Sequence, residues 1–250
     1  MKYIIIFILL YVLTSVIFWI KYNEFYVDKS YITIYTINGL NNRLDAILRY
    51  LYIANKENKK LRVIWYIDAE CSDIFDNGFK PIDNVEFVYM RGIRPYDYNM
   101  WDKQNDKYIE EKYYNLLQPI DSIQNDINNT KNLLKENYIA CHLRRTDGWD
   151  HKSYIKDRHE DEEYMEFIDQ YPTDLKIYIA TDCRKTQVKF IDKYGDRLIY
   201  KKIEDNNNYR QTSLQDAIKD MYVCADATYF MRSPGTFSNT IIQLRNLNQK

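Results

Sequence analysis

The chain has 250 residues, of which 46% are hydrophobic, so it is long enough to bury a sizeable core. Its 35 Lys and Arg residues nearly balance its 36 Asp and Glu residues. The chain therefore has no overall basic field, which argues against a nucleic-acid partner, and any anion-binding site must be local.

Residues 3 to 20 form an uncharged apolar run between Lys2 and Lys21. As a helix, this run would be about 27 Å long, close to the hydrocarbon thickness of about 30 Å of a bilayer. Bulky residues follow it, whereas a cleaved signal peptide ends in small ones. We therefore expect a membrane anchor over residues 1 to 22. Its flanking charges predict a single-pass type II protein whose remaining part is lumenal or extracellular.

The segment after the predicted anchor alternates between strand and helix patterns. Strands are predicted over residues 30 to 37, 61 to 67 and 85 to 90, and a helix over residues 41 to 60. This order is typical of a parallel sheet with right-handed crossovers. Residues 91 to 126 are rich in Tyr, Asp and Asn and have weak periodicity, so we expect a loop there.

A second alternating unit follows. We predict a strand in NYIACHL, helices over 161 to 171, 183 to 195, 213 to 227 and 239 to 247, and strands over 175 to 182 and 197 to 200. The sequence therefore indicates an α/β protein with two halves, over residues 30 to 130 and 135 to 250. The boundary between them is marked only by a shift in composition.

Ligands of open α/β sheets bind beyond the carboxyl ends of the strands. The strand that ends at His142 runs into Arg144, Arg145 and Asp147. The two guanidiniums are planar forks that suit phosphate oxygens, and their charge does not titrate away. The alternative is an ion pair between Arg145 and Asp147 at the strand end.

Three further strand exits carry polar residues, and each has a functional and a structural interpretation. The first exit runs from Gly39 to Arg43, and its backbone N–H groups, with the Asn41 and Asn42 amides, suit a phosphate at a helix start. The alternative is a turn in which an Asn caps the helix. Thr236 and Ser238 suit an anion or a helix cap. Asp182 suits a sugar hydroxyl or a base edge, or it caps the next helix.

Metal and acid–base chemistry have weaker signals. The chain has no C-x-x-C, no Cys/His cluster with zinc spacing and no D-x-D, so we predict neither a metal nor a cofactor. Asp150 and His151 follow the double arginine and are our candidates for a catalytic acid or base, although loop residues of this kind are usually solvated.

Four motifs, in order, carry a family resemblance: GLNNRLDAILRYLYIA, CHLRRTD, IYIATD and DMYVCADATYFMRSPGTFSNTI. Together they resemble the GDP-fucose-dependent fucosyltransferase superfamily, which includes α-1,6-, α-1,2- and protein O-fucosyltransferases. The matches span residues 38 to 242. The resemblance implies a GT-B-like fold, in which two Rossmann-type halves hold the donor between them.

The resemblance also implies roles for individual residues. Arg144 matches the arginine that binds the β-phosphate, with Arg145 as its partner, and His142 and Asp220 lie near the guanine. Thr236, Phe237 and Ser238 match the segment around the diphosphate, and Asp182 matches the Ala-Thr-Asp carboxylate. Gly39, Asn41, Asn42 and Arg43 approach the donor from the N-terminal half.

Three features depart from the family. Asn41 occupies a position where a small residue is common, Ser233-Pro234-Gly235 changes the loop before Thr236, and no residue clearly matches a catalytic base. We therefore expect a membrane-anchored, metal-independent, inverting glycosyltransferase that transfers fucose from GDP-fucose to a glycan or glycoprotein acceptor. The alternatives are a transferase of another nucleotide sugar and a non-catalytic protein that binds a glycan or a nucleotide.

Overall fold

Two parallel sheets form the framework of the computed structural model, which describes residues 7, 10–16, 28–91, 111–145, 159–203 and 212–248. The first sheet has the order β1-β2-β3, and the second has the order β6-β5-β4-β7. The strands are β1 (Tyr31–Thr36), β2 (Lys60–Tyr66), β3 (Val85–Met90), β4 (Tyr138–Leu143), β5 (Lys176–Thr181), β6 (Leu198–Tyr200) and β7 (Tyr229–Met231). Every hydrogen-bonded pair of strands is parallel, as the alternating pattern predicted.

Helices connect and cover the strands. Those that follow residue 28 in the described ranges are α1 (Leu40–Lys56), α2 (Asp121–Leu134), α3 (Asp161–Asp169), α4 (Arg184–Tyr194), α5 (Leu214–Asp226) and α6 (Thr236–Asn248). Short 3-10 turns cover Phe75–Asn77, Glu111–Leu116 and Gly195–Arg197. In α1, the residues at helical spacing, Leu44, Ile47, Leu48 and Leu51, are fully buried, which confirms the interpretation of that pattern.

One continuous apolar core joins the two sheets. The last helix, α6, packs against both α1 and α5, and α2 packs against α5. Arg245 near the end of α6 donates to the carbonyls of Cys224 and Ala225 at the end of α5. The chain thus returns from the second sheet to the helix of the first, which fixes the strand exits of the two sheets relative to each other.

The structure departs most from the predicted elements at three places. Part of the stretch expected to be a loop is helical, because Ile123, Ile127 and Leu134 form a narrow buried stripe on the otherwise polar α2. The first helix ends at Lys56, four residues before the predicted end, where Asn58 adopts a left-handed conformation with φ 53°. The last helix begins at Thr236 and not at residue 239.

The predicted anchor, residues 1 to 22, lies mostly outside the described residues, and residues 10 to 16 within it are helical. In the part of the chain that the structure describes, no helix combines the length and the apolar character needed to cross a bilayer.

Candidate functional site

A pocket lies between the carboxyl ends of the two sheets. This is the edge at which open α/β sheets bind their ligands. One wall comes from the first sheet and its loops, and the other from the second sheet with α5 and α6. The lining residues are Gly39, Leu40, Asn41, Asn42, Ala69, Glu70, Cys71, Ser72, Asp73, His142, Arg144, Ala180, Thr181, Asp182, Thr212, Ser213, Leu214, Ala217, Asp220, Thr236 and Phe237.

The first turn of α1 supplies the amides of the first-sheet wall. Gly39 stands at the helix N-cap, and Asn41 and Asn42 follow it into the helix. Asn41 is only 3% exposed, yet neither its Nδ2 nor its Oδ1 has a hydrogen-bond partner among the described residues. The Asn42 Oδ1 is also buried without such a partner. Neither asparagine caps the helix, so the alternative of a simple capped turn does not explain them.

Arg43 does not reach the pocket, in contrast to its predicted role in donor binding. Its fully buried guanidinium donates from Nε to the Asn38 carbonyl at 2.6 Å and from Nη1 to the carbonyls of Thr36 and Tyr66. Its Nη2 pairs with the Asp68 carboxylate at 2.9 Å. Because these carbonyls belong to the ends of β1 and β2, Arg43 ties the two strand exits together from behind the pocket wall.

The loop from Ala69 to Asp73 was missed by the sequence analysis, although it follows a strand exit like the others. Asp68 shapes this loop by accepting from the backbone N–H groups of Glu70 and Cys71 at 2.9 and 3.0 Å. Burial raises the pKa of the Cys71 thiol, which therefore stays protonated at neutral pH. The signal that could have identified the loop was the position of Asp68 directly after a buried strand.

Asp73 links the loop to the opposite wall. Burial alone would raise its pKa, but hydrogen bonds from Asn77, the Ile74 N–H and Gln215 lower the pKa below its ordinary value. The bond from Gln215 Nε2 to Asp73 Oδ2, at 3.2 Å, joins α5 to the first-sheet side of the pocket. Asp73 is therefore an ionised residue that ties the two walls together at neutral pH.

His142 lies at the end of β4, on the second-sheet wall. Its Nδ1 is 2.8 Å from the Ser238 Oγ, and its ring centroid is 4.7 Å from that of Phe237. The pKa of His142 is lowered to about 4, mainly by burial; the charge of Asp182 raises it, and the charges of Arg144 and Arg145 lower it. The imidazole is therefore neutral at pH 7 and offers hydrogen bonds but no charge.

Arg144 lines the pocket, and its guanidinium lies beside the N-terminus of α6. A Cβ atom added to Gly235 would be in contact with the Arg144 Nη1, at 3.4 Å. Gly235 has φ 124°, a conformation that side chains rarely adopt, and it immediately precedes the first residue of the helix. A guanidinium and a helix N-terminus are both electropositive, and side by side on a pocket wall they suit an anion.

Arg145 does not join Arg144 in the pocket, which corrects the prediction of two forks on one ligand. Its guanidinium is 3% exposed and donates from Nε and Nη2 to Asp161 Oδ1 at 3.1 and 2.7 Å. Its Nη1 donates to the His159 carbonyl. Successive side chains that leave a strand point to opposite sides, so one arginine faces the pocket and its neighbour faces the protein interior.

Two carboxylates complete the second-sheet wall. Asp182 lines the pocket, and its Oδ1 accepts from the backbone N–H of Arg145 at 2.6 Å, so it does not cap the helix that follows. The Asp220 Oδ1 accepts from the Tyr178 hydroxyl at 2.5 Å. Burial raises the pKa of Asp220 to about 6, against the lowering effects of the Tyr178 hydroxyl and of nearby lysines.

The segment from Thr236 to Ser238 is divided between the pocket and the interior. Thr236 and Phe237 line the pocket. Ser238 is fully buried inside α6 and binds His142, so it neither caps the helix nor lines the pocket. The alternative in which Ser238 caps the helix was wrong, because the helix begins two residues before it.

Three predicted residues, Asp147, Asp150 and His151, lie outside the described residues. Within the described ranges, no cluster of three or more His, Cys, Asp or Glu side chains is arranged to bind a metal ion.

No protein-family model matches the sequence, and no curated protein sequence matches it either. Solved structures do. A NodZ α-1,6-fucosyltransferase soaked with GDP-fucose has a TM-score of 0.62 at 13% identity, covering 86% of this chain and 92% of that one. NodZ from Bradyrhizobium has a TM-score of 0.60 at 12% identity, covering 85% and 92%. POFUT1 in complex with GDP has a TM-score of 0.57 at 12% identity, covering 86% and 94%.

The chain has a fucosyltransferase fold. The predicted resemblance is thus confirmed for the fold, over most of the length of each protein. At 12 to 13% identity, the likeness gives the fucosyltransferase fold alone, so the activity has to be argued from the pocket.

Proposed function

We propose that the protein is a glycosyltransferase that transfers fucose from GDP-fucose to a hydroxyl of a glycan or a glycoprotein, without a metal and with inversion at the anomeric carbon. The observation that carries this proposal is the position of the Arg144 guanidinium beside the N-terminus of α6, on a pocket between the carboxyl ends of two parallel sheets. The solved structures with the same fold support the choice of donor, since NodZ was soaked with GDP-fucose and POFUT1 was in complex with GDP.

The diphosphate binds at Arg144 and the first N–H groups of α6. When the bond between the sugar C1 and the β-phosphate oxygen breaks, its electron pair goes to that oxygen, and negative charge builds on the leaving GDP. A fixed guanidinium and N–H groups stabilise this charge in the transition state, and one such donor contributes about 3 to 4 kcal/mol. In this proposal the Arg144 guanidinium and the N-terminus of α6 take the part that a divalent metal plays in other transferases.

The guanine binds near Asp220. Guanine presents two N–H donors on one edge, its N1–H and its N2 amino group, whereas uracil presents a single ring N–H between two carbonyls. A carboxylate accepts both guanine donors at once, and the Asp220 carboxylate lines the pocket with its Oδ1 bonded to Tyr178. The neutral His142 ring and the Phe237 ring, tilted by 32° to each other, provide aromatic surface on the same pocket.

The acceptor oxygen attacks C1 on the face opposite to the leaving diphosphate, which inverts the configuration, and its proton passes to a base. Asp150 and His151 remain our candidates for that base. His142 is a weak candidate for that base, because its pKa is lowered to about 4, mainly by burial.

The wider organisation is part of the same proposal. The protein has a GT-B layout, with an acceptor-side half over residues 30 to 130 and a nucleotide-sugar-binding half over 135 to 250. Residues 1 to 22 anchor it in a membrane as a single-pass type II protein, with the catalytic part lumenal or extracellular.

The proposal is tested by titrating the full chain with GDP, GDP-fucose, UDP and UDP-sugars in the presence of a chelator. We expect binding of GDP and GDP-fucose that needs no metal and that falls strongly in Arg144→Ala. Preference for UDP, or binding that depends on an added metal, would overturn it. Donor hydrolysis in the same samples separates a transferase from a protein that only binds the nucleotide.

A further inference from the structure

Asn41 is the least satisfied polar side chain on the pocket wall. Asn41 lines the pocket and is only 3% exposed. Neither the Nδ2 nor the Oδ1 of its amide has a hydrogen-bond partner in the described part of the chain. A buried amide without hydrogen bonds disfavours the folded state, so such a group calls for a ligand that satisfies it.

The amide specifies the chemistry of that ligand. An asparagine presents a donor and an acceptor side by side, so its complement must both accept and donate. A phosphate oxygen only accepts, and it would be repelled by the amide carbonyl, whereas a hydroxyl does both. Exchanging the assigned O and N atoms does not alter this conclusion, because both are without partners.

The position of Asn41 indicates which hydroxyl is meant. Asn41 belongs to the first-sheet wall, while Arg144, the N-terminus of α6 and Asp220 belong to the second-sheet wall. A nucleotide sugar that places its base and diphosphate on the second wall extends its sugar towards the first.

We propose, building on the function proposed above, that the Asn41 amide binds a hydroxyl of the transferred sugar and so discriminates among sugar donors. This differs from the role that the sequence suggested, in which Asn41 contacts a phosphate. The distinction is measurable, because GDP carries the phosphates without the sugar.

The experiment is a calorimetric titration of the full chain with GDP and with GDP-fucose. In Asn41→Ala, we expect affinity for GDP-fucose to fall about tenfold, as for one hydrogen bond to a neutral group, while affinity for GDP stays within about twofold. Asn41→Asp keeps an acceptor of the same size. The ratio of its affinity for GDP-fucose to its affinity for GDP should therefore stay within about threefold of the ratio for the unchanged chain. Asn55→Ala, at the exposed end of the same helix, is the matched control and should change neither value.

GDP-fucose analogues that carry fluorine in place of a single hydroxyl identify the group that Asn41 contacts. One analogue should bind the unchanged protein about tenfold more weakly than GDP-fucose, and Asn41→Ala should weaken that analogue no further. If Asn41→Ala does not fold, Asn41→Ser removes the reach of the amide and gives the same comparison.

Two results would overturn the inference and leave the proposed function intact: an equal loss of affinity for GDP and GDP-fucose in Asn41→Ala, or no loss for either. If the unchanged chain binds neither GDP nor GDP-fucose, the proposed function is overturned, and the inference with it.

Discussion

The two walls of the pocket differ in how far the protein satisfies its own polar groups. On the second-sheet wall, His142 is bonded to Ser238, Asp182 to the Arg145 N–H, and Asp220 to Tyr178. On the first-sheet wall, the Asn41 amide is buried with no such bond in the described ranges. The second wall is therefore organised before a ligand arrives, whereas in our proposal the ligand completes the first.

This difference fits the two parts of a nucleotide sugar. A transition-state charge is best stabilised by groups that need no rearrangement, and the wall with Arg144 is the organised one. Sugar specificity instead depends on hydrogen bonds that only the correct ligand completes, because the wrong one leaves a buried polar group unpaired. Each wall also has a buried arginine behind it, Arg43 on the first and Arg145 on the second.

The largest expected effect is on stability. Arg145→Ala should lower the free energy of unfolding by about 3 to 5 kcal/mol, because it leaves the buried Asp161 with only Lys189 as a cationic partner in the described residues. Urea denaturation of the full chain measures this. Arg184→Ala, a partly exposed arginine bonded to Gln187, is the control and should cost less than 1 kcal/mol, about the value of an exposed pair. A normal unfolding midpoint in Arg145→Ala would contradict the structural role of that arginine.

The neighbouring arginine should show the opposite behaviour. Arg144→Ala should lower kcat for GDP-fucose by about 10² to 10³-fold, which is about 3 to 4 kcal/mol, and leave the unfolding midpoint nearly unchanged. Arg144→Lys keeps the charge without the fork, so it should recover part of the rate. Steady-state donor hydrolysis measures both. Equal losses of activity in Arg144→Ala and Arg145→Ala, with both proteins folded, would indicate instead that both guanidiniums bind the same ligand.

The second wall should also impose a pH dependence on donor binding. The pKa of Asp220 is raised to about 6, so the carboxylate that we propose accepts from guanine is lost as the pH falls through 6. Affinity for GDP-fucose should then decrease by up to about tenfold per pH unit between pH 6 and 5, and be constant above 7. GDP-fucose is the right probe, because its diphosphate has no proton that dissociates near this pH. Asp220→Asn should bind weakly with a flat profile over the same range.

The smallest expected effect is that of the Tyr178 hydroxyl on the pH dependence set by Asp220. Tyr178→Phe removes the hydroxyl that donates to Asp220, and that hydrogen bond lowers the pKa of the carboxyl. The midpoint of the binding profile should therefore move to higher pH, with a loss of affinity of only a few-fold at pH 8, since one neutral donor is lost. A reduced affinity with an unmoved midpoint would mean that Tyr178 acts through packing alone.

Much of the architecture was predictable because it depends on local patterns. The strands around Ile34, Ile64 and Ile179 follow from β-branched runs, and α1 follows from its apolar stripe. The helix α2 was missed because its buried stripe is narrow and its remaining residues are polar. Its helical character depends on packing against α5, which no local window contains.

The candidate site was predicted in outline and misassigned in detail. Arg144, His142, Asp182, Asp220 and Thr236 do lie on one pocket, as the strand-exit rule indicated. The loop from Ala69 to Asp73 was overlooked because it has no motif. Arg145 was expected to pair with Asp147 or with a ligand, but its partner is Asp161, sixteen residues along the chain.

By itself, the sequence determined the alternation of strands and helices and the edge at which polar residues collect, because both depend on side-chain periodicity and on the direction of parallel strands. Only the tertiary structure decided which member of each polar pair faces the pocket. Asn41 and Arg144 line it, while Arg43 and Arg145 are directed inward to Asp68 and Asp161. A buried guanidinium requires a charged partner, and which carboxylate lies within reach is set by the packing of elements that are distant in the chain.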